Sequence, residues 1–86
     1  MDTRFLLLAR YNGLPIIPLE QVRDNFFQHL SLSKLLRKIN GFQVALPLIR
    51  TDLSQKSHRG VHIEDLANCL DERREKALRE FNQFHS

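Results

Sequence analysis

Cysteine and tryptophan are almost absent from this sequence of 86 residues, which has one cysteine and no tryptophan. A lone Cys69 excludes an internal disulfide and is typical of a reducing compartment. With a single cysteine and no CxxC pair, the sequence also argues against a structural zinc site. We therefore expect no metal and no cofactor, and we expect Cys69 to be a small buried hydrophobic residue.

Long apolar runs and glycine-rich segments are missing as well. The longest unbroken apolar run, residues 5–9, is too short to cross a membrane, and nothing in the sequence resembles a signal peptide. The three scattered glycines exclude a glycine-rich phosphate loop. Adjacent acids at residues 64–65 and 71–72 are expected on helix surfaces, where nothing tunes a carboxylate for acid–base chemistry. We therefore expect a cytoplasmic protein without a membrane partner that is not an enzyme.

Positive charge is concentrated in one third of the chain. The net charge is +3, but residues 31–60 alone carry a net +5, whereas residues 1–30 are balanced and residues 61–86 have an excess of two acids. A basic patch of this kind favours a polyanion, because each neutralised phosphate releases condensed counterions. The six cations of this segment are Lys34, Arg37, Lys38, Arg50, Lys56 and Arg59.

The length allows one domain, residues 1–86, and its first segment has two interpretations. Thr3 could cap a short helix that ends at Asn12 and Gly13, which form a good helix stop. The same Asn-Gly pair could instead close a β-hairpin. We favour the helix. A short extended piece at residues 16–17 follows.

The centre of the sequence predicts two helices joined by a short turn. Pro18 is a suitable first helical residue, and apolar residues then recur at helical spacing up to Leu30. Ser31 is a candidate N-cap for a second helix over residues 32–40. That helix has an apolar stripe of Leu32, Leu35, Leu36 and Ile39, and its other face carries Ser33, Lys34, Arg37 and Lys38.

A hairpin and a long helix are predicted for the rest of the chain. Apolar residues around Pro47 indicate an edge strand, residues 51–60 a polar loop, and Val61 a second strand. His62 is expected to cap a final helix over about residues 63–84. The predicted fold class is thus mainly α with a small β-hairpin wing, a winged helix-turn-helix.

The end of the last helix has apolar residues that such a small core does not require. They would pack either on residues 5–8 of the same chain or against a second subunit, and the sequence leaves both open. These candidates for self-association are Ala77, Leu78, Phe81 and Phe84.

The basic helix and the basic wing together predict binding to double-stranded DNA. A helix with a basic outer face can enter the major groove, and the wing can reach the flanking backbone or minor groove. The candidate DNA-binding residues are Ser33, Lys34, Arg37, Lys38, Arg50, Gln55, Lys56, Ser57, His58 and Arg59. Two other hypotheses are a DNA-bending recombination factor and an adaptor or antirepressor that binds an acidic protein.

Several segments in order resemble the pyocin activator protein family. They are FLLLARYNG at 5–13, IPLEQV at 17–22, LRK at 36–38, ALPLIR at 45–50, SQK at 54–56, GVHIEDL at 60–66 and DERR at 71–74. The order of elements is also distantly similar to excisionases and to the DNA-binding heads of MerR-type regulators, although residues 41–45 make a longer turn than in excisionases. The resemblance implies an activator of bacteriocin or prophage genes in bacteria, with DNA as partner and RNA polymerase as a candidate second partner.

Overall fold

The computed structural model of the chain describes residues 2–50 and 59–85. This part of the chain is mainly helical with one small antiparallel sheet, which confirms the coarse fold class. In chain order the elements are α1 (Thr3–Arg10), β1 (Ile16–Pro18), α2 (Leu19–Phe26), α3 (Leu32–Asn40), β2 (Ile49–Arg50), β3 (Arg59–His62) and α4 (Ile63–His85).

The first segment is the predicted helix and not a hairpin. Its N-cap is Asp2 rather than Thr3, because the Asp2 carboxylate accepts a hydrogen bond of 2.9 Å from the backbone N–H of Arg4. Thr3 instead donates its hydroxyl to Asp71 of α4 at 2.7 Å, which ties the two helices together. The helix ends at the predicted stop, where Asn12 and Gly13 have φ values of 57° and 77° in the left-handed region.

The sheet has three strands in the order β1-β3-β2, so the short piece before α2 is a strand that pairs with the hairpin. Gly60 lies in the central strand opposite Pro18 on one side and Ile49 on the other. A Cβ at Gly60 would lie 2.5 Å from Cγ2 of Ile16, so any other residue here would force Ile16 to move. The close approach of β1 to β3 depends on that missing side chain.

The hairpin differs from its prediction in two places. The edge strand pairs only from Ile49, after Pro47, which has no N–H to donate, and Leu46 is buried ahead of the strand. The second strand begins at Arg59, so Arg59 and Gly60 belong to β3 and not to the loop. The rest of the predicted loop, residues 51–58, lies outside the described residues.

The helix α2 is shorter than the periodicity predicted. It ends at Phe26, and Pro18 is its N-cap and the last residue of β1 rather than the first helical residue. Phe27 and Leu30 are still buried, but they lie in the turn, and so does His29. The apolar spacing continues past the end of the helix because Phe27 and Leu30 of the turn also pack into the core.

The core is a single cluster to which the sheet, the first three helices and the first half of α4 contribute. Cys69 is buried in it, as predicted. His62 acts as the predicted cap of α4, since its Nδ1 accepts a hydrogen bond of 3.0 Å from the backbone N–H of Glu64. Among residues 2–50 and 59–85, no helix is long and apolar enough to cross a membrane.

Candidate nucleic-acid interface

The predicted recognition helix α3 has one buried and one exposed side. Leu35 and Ile39 are buried in the core, with Leu32 and Leu36 partly buried beside them. The opposite side carries Ser33, Lys34 and Arg37, all exposed, while Lys38 is half-buried at the edge of this face. Three of the four polar residues that the sequence assigned to this face therefore point to solvent together.

Two hydrogen bonds hold the start of α3 in place. The Ser31 hydroxyl accepts a bond of 3.2 Å from the backbone N–H of Lys34, so Ser31 is the N-cap as predicted. The guanidinium of Arg23 in α2 donates a bond of 3.0 Å to the carbonyl oxygen of Leu30 in the turn. The turn and the beginning of α3 are thereby fixed relative to α2, which gives the basic face a defined direction.

Two arginines face each other on the hairpin. Arg50 of β2 and Arg59 of β3 are register partners, placed where the two strands enter residues 51–58. Like charges directly opposite in an antiparallel pair repel each other. An anion bound beside this pair would relieve the repulsion, so the end of the hairpin is suited to a phosphate.

A cleft of about 770 Å³ joins the hairpin to the C-terminal end of α3. Leu36, Ile39 and Asn40 line its α3 side, and Arg50 and Arg59 line its hairpin side. Segment 44–48 and the first half of α4 complete the walls, and α4 contributes the carboxylates Asp65 and Glu72. The cleft thus lies between the C-terminal end of α3 and the hairpin arginines, and none of Ser33, Lys34, Arg37 and Lys38 lines it.

Two residues of this region were missed from the sequence. Asn40 was only the last residue of the predicted helix, yet it is exposed and lines the cleft with the hairpin arginines. Phe42 follows with a left-handed φ of 59° and is 94% exposed at the same cleft. Gly41 before it indicated a tight turn. A large side chain in such a turn has no room inside and points to solvent.

The cations of this region have no ion-pair partner among the described residues. The described ion pairs lie at the other helices, between Arg4 and both Asp2 and Glu64, and between Arg23 and Asp24. No acid occurs in the described part of residues 31–60. The cations in the described part of this segment are Lys34, Arg37, Lys38, Arg50 and Arg59.

The other predicted site residues are distributed as follows. Gln55, Lys56, Ser57 and His58 lie outside the described residues. The four candidates for self-association are all exposed on the second half of α4, with Leu78 42%, Phe81 56% and Phe84 84% exposed. They are not buried on residues 5–8, where Phe5 and Leu6 are themselves largely exposed.

The comparison with known families covers nearly all of these elements. The family model described as pyocin activator protein PrtN matches residues 3–77, which includes α1 to α3, the hairpin and most of α4. No curated protein and no solved structure matches the chain. Because the family match spans most of the sequence, the resemblance is confirmed, and the chain belongs to the family of the pyocin activator protein PrtN.

Proposed function

We propose that this chain is a winged helix-turn-helix protein that binds double-stranded DNA and activates transcription of pyocin or prophage genes. In this proposal α3 enters the major groove, and the hairpin with residues 51–58 acts as the wing on the flanking backbone or minor groove. The membership of the pyocin activator family supports the role in activation.

The observation that carries the DNA-binding part is the basic face of α3, which is exposed at Ser33, Lys34 and Arg37 and whose cations have no ion-pair partner among the described residues. A helix of nine residues is about 14 Å long, and the major groove, about 12 Å wide, admits an α-helix. Ser33 and Arg37 lie one turn apart on the outer side of α3, within reach of base edges in such a pose. Arg50 and Arg59 would then lie along the phosphate backbone.

In this proposal the other helices and β1 hold α3 and the hairpin in position for DNA. No catalytic role or cofactor is needed, because affinity and specificity both come from side-chain contacts with DNA. A transcription activator of this kind would work in the cytoplasm, with RNA polymerase as its second partner. A related possibility is a DNA-bending recombination factor that uses the same helix and wing, and its signature is a bend angle without promoter activation.

Fluorescence anisotropy would test the proposal with a labelled promoter fragment of a pyocin gene and a scrambled fragment of equal length. We expect tighter binding to the promoter, and a lower affinity for both fragments as salt increases. The variant Arg37→Gln should weaken binding to the promoter, whereas Arg10→Gln, which removes the same charge from the exposed end of α1, should leave it unchanged.

The result that contradicts the proposal is equal and weak affinity for both fragments, unchanged by Arg37→Gln. That outcome would favour the adaptor or antirepressor, in which the basic face binds an acidic protein. A promoter-reporter assay combined with a gel-mobility bending assay then separates the activator from the recombination factor.

A further inference from the structure

The second half of α4 is exposed and carries an apolar stripe. Every residue from 71 to 84 is exposed. In the first half of the helix, Ile63, Ala67 and Leu70 face the core at alternating intervals of four and three residues. The same intervals lead on to Arg74, Ala77, Phe81 and Phe84. This is the spacing by which one helix packs along another.

The charges of this half of the helix cancel. Four cations, Arg73, Arg74, Lys76 and Arg79, are balanced by four acids, Asp71, Glu72, Glu75 and Glu80. Two copies of the basic α3 face would repel each other, whereas two copies of this segment would not. The apolar stripe on a neutral helix is therefore a surface at which two copies can meet without charge repulsion.

We propose that a second copy of this chain docks on this stripe, with the two α4 segments antiparallel and centred near Arg79. In a parallel pair, Arg74 would face Arg74 of the second copy in the seam, which places two like charges in contact. In the antiparallel pair, Phe81 packs over the small Ala77 of the second copy. Arg74 lies over the ring of Phe84 of the second copy, where cation and aromatic face attract each other.

The antiparallel arrangement also places Leu78 of both copies close to the two-fold axis. The contact uses only exposed residues, so the core that Ile63 and Ala67 help to form remains intact. The two α3 faces stay outside the contact, so the dimer leaves both available to a partner. A contact of about three helical turns is small, so we expect association in the micromolar range that tightens when both copies bind one DNA molecule.

Sedimentation velocity of the full chain without DNA, over a range of concentrations, would test the contact. The parent should shift from monomer to dimer, and Phe81→Glu should raise the dissociation constant at least tenfold. Gln83→Glu adds the same charge to the same helix outside the stripe and should leave the constant within a factor of two. A folded Phe81→Glu variant that associates like the parent, or a parent monomeric throughout, would overturn the proposal.

The orientation has its own measurement. A spin label at Glu72→Cys, in a Cys69→Ala background, lies seven residues from the proposed centre. Antiparallel helices should separate the two labels by about 21 Å along the axis, whereas parallel helices place them side by side. Circular dichroism of each variant, expected to match the parent, shows that the fold is retained. A dominant label distance below about 15 Å in the dimer would refute the antiparallel arrangement.

Discussion

The guanidinium of Arg23 donates a hydrogen bond of 3.0 Å to the carbonyl oxygen of Leu30, seven residues further along the chain. The carbonyl belongs to the turn between α2 and α3, where the backbone cannot satisfy it within a helix. A second nitrogen of the same guanidinium bonds the Asp24 carboxylate at 2.6 Å, so Arg23 is held by two partners. This side chain connects α2 to the start of the basic helix.

Replacing Arg23 by methionine should therefore loosen the turn. Methionine keeps most of the side-chain length but loses the donors, so the carbonyl of Leu30 is left without its partner. We expect the free energy of unfolding to fall by about 1.5–3 kcal/mol, as for other bonds made by a charged group. Urea denaturation measures this loss. Asp24→Ala, which removes only the exposed ion pair, should cost less than about 0.5 kcal/mol, and an equal loss for both variants would contradict this role.

The N-cap of α3 gives a matched pair of variants. Ser31→Ala removes the oxygen that accepts the N–H of Lys34, and we expect it to lower the free energy of unfolding by about 1 kcal/mol. Ser33→Ala, two residues later on the exposed face, should change stability by less than about 0.5 kcal/mol. If Ser33 contacts DNA, Ser33→Ala should lower promoter affinity more than Ser31→Ala does. Equal stability losses would contradict the capping role.

Local patterns were sufficient to predict the helices because the deciding interactions lie within a few residues. The cap at Ser31, the stop at Asn12 and Gly13 and the stripe of α3 all depend on neighbours in the sequence. The end of α2 at Phe26 was missed because Phe27 and Leu30 are buried in a turn, and burial alone does not distinguish a turn from a helix.

Most of the features that the sequence did not predict depend on contacts between residues far apart in the chain. Nothing near Ile16 indicates that its strand pairs with His62, because the pairing depends on residues more than forty positions away. Likewise, Thr3 was expected to cap α1, but its hydroxyl donates a hydrogen bond to Asp71 of α4, which is far away in the sequence. For the candidate site, composition found the basic face, whereas the opposition of Arg50 and Arg59 required the strand register.

The close approach of β1 and β3 predicts that substitutions at Gly60 and Ile16 have non-additive effects on stability. Gly60→Ala places a methyl group about 2.5 Å from Cγ2 of Ile16, and we expect a loss of about 1–3 kcal/mol from overpacking. Ile16→Ala removes that methyl group from a partly exposed side chain. The double variant should therefore lose less than the sum of the two single variants, which thermal or urea denaturation can measure. Additive losses would show that the backbone, and not Ile16, excludes the side chain.

The outer side of α3 predicts a specific loss of base recognition. Arg37 is exposed one turn beyond Ser33, so in the proposed pose its guanidinium reaches a base edge, most naturally guanine. Arg37→Ala should cost about 1–3 kcal/mol on the specific site and relax the preference at one base position. Binding to a set of singly substituted sites measures this. An equal loss on specific and random DNA would mean that Arg37 contacts phosphate instead.

The wing predicts an effect on salt dependence rather than on base preference. Arg59 lies opposite Arg50 where the strands enter residues 51–58, and Lys56 belongs to that segment, which is outside the described residues. If both cations neutralise phosphates, the double variant Lys56→Ala and Arg59→Ala binds all sequences more weakly. The slope of log K against log salt should then flatten by roughly one to two units, because fewer counterions are released. Arg10→Ala, which removes a positive charge from α1, outside both the proposed DNA-binding face and the α4 stripe, should leave the slope unchanged. Equal slopes for the wing variant and the parent would mean that the hairpin points away from DNA.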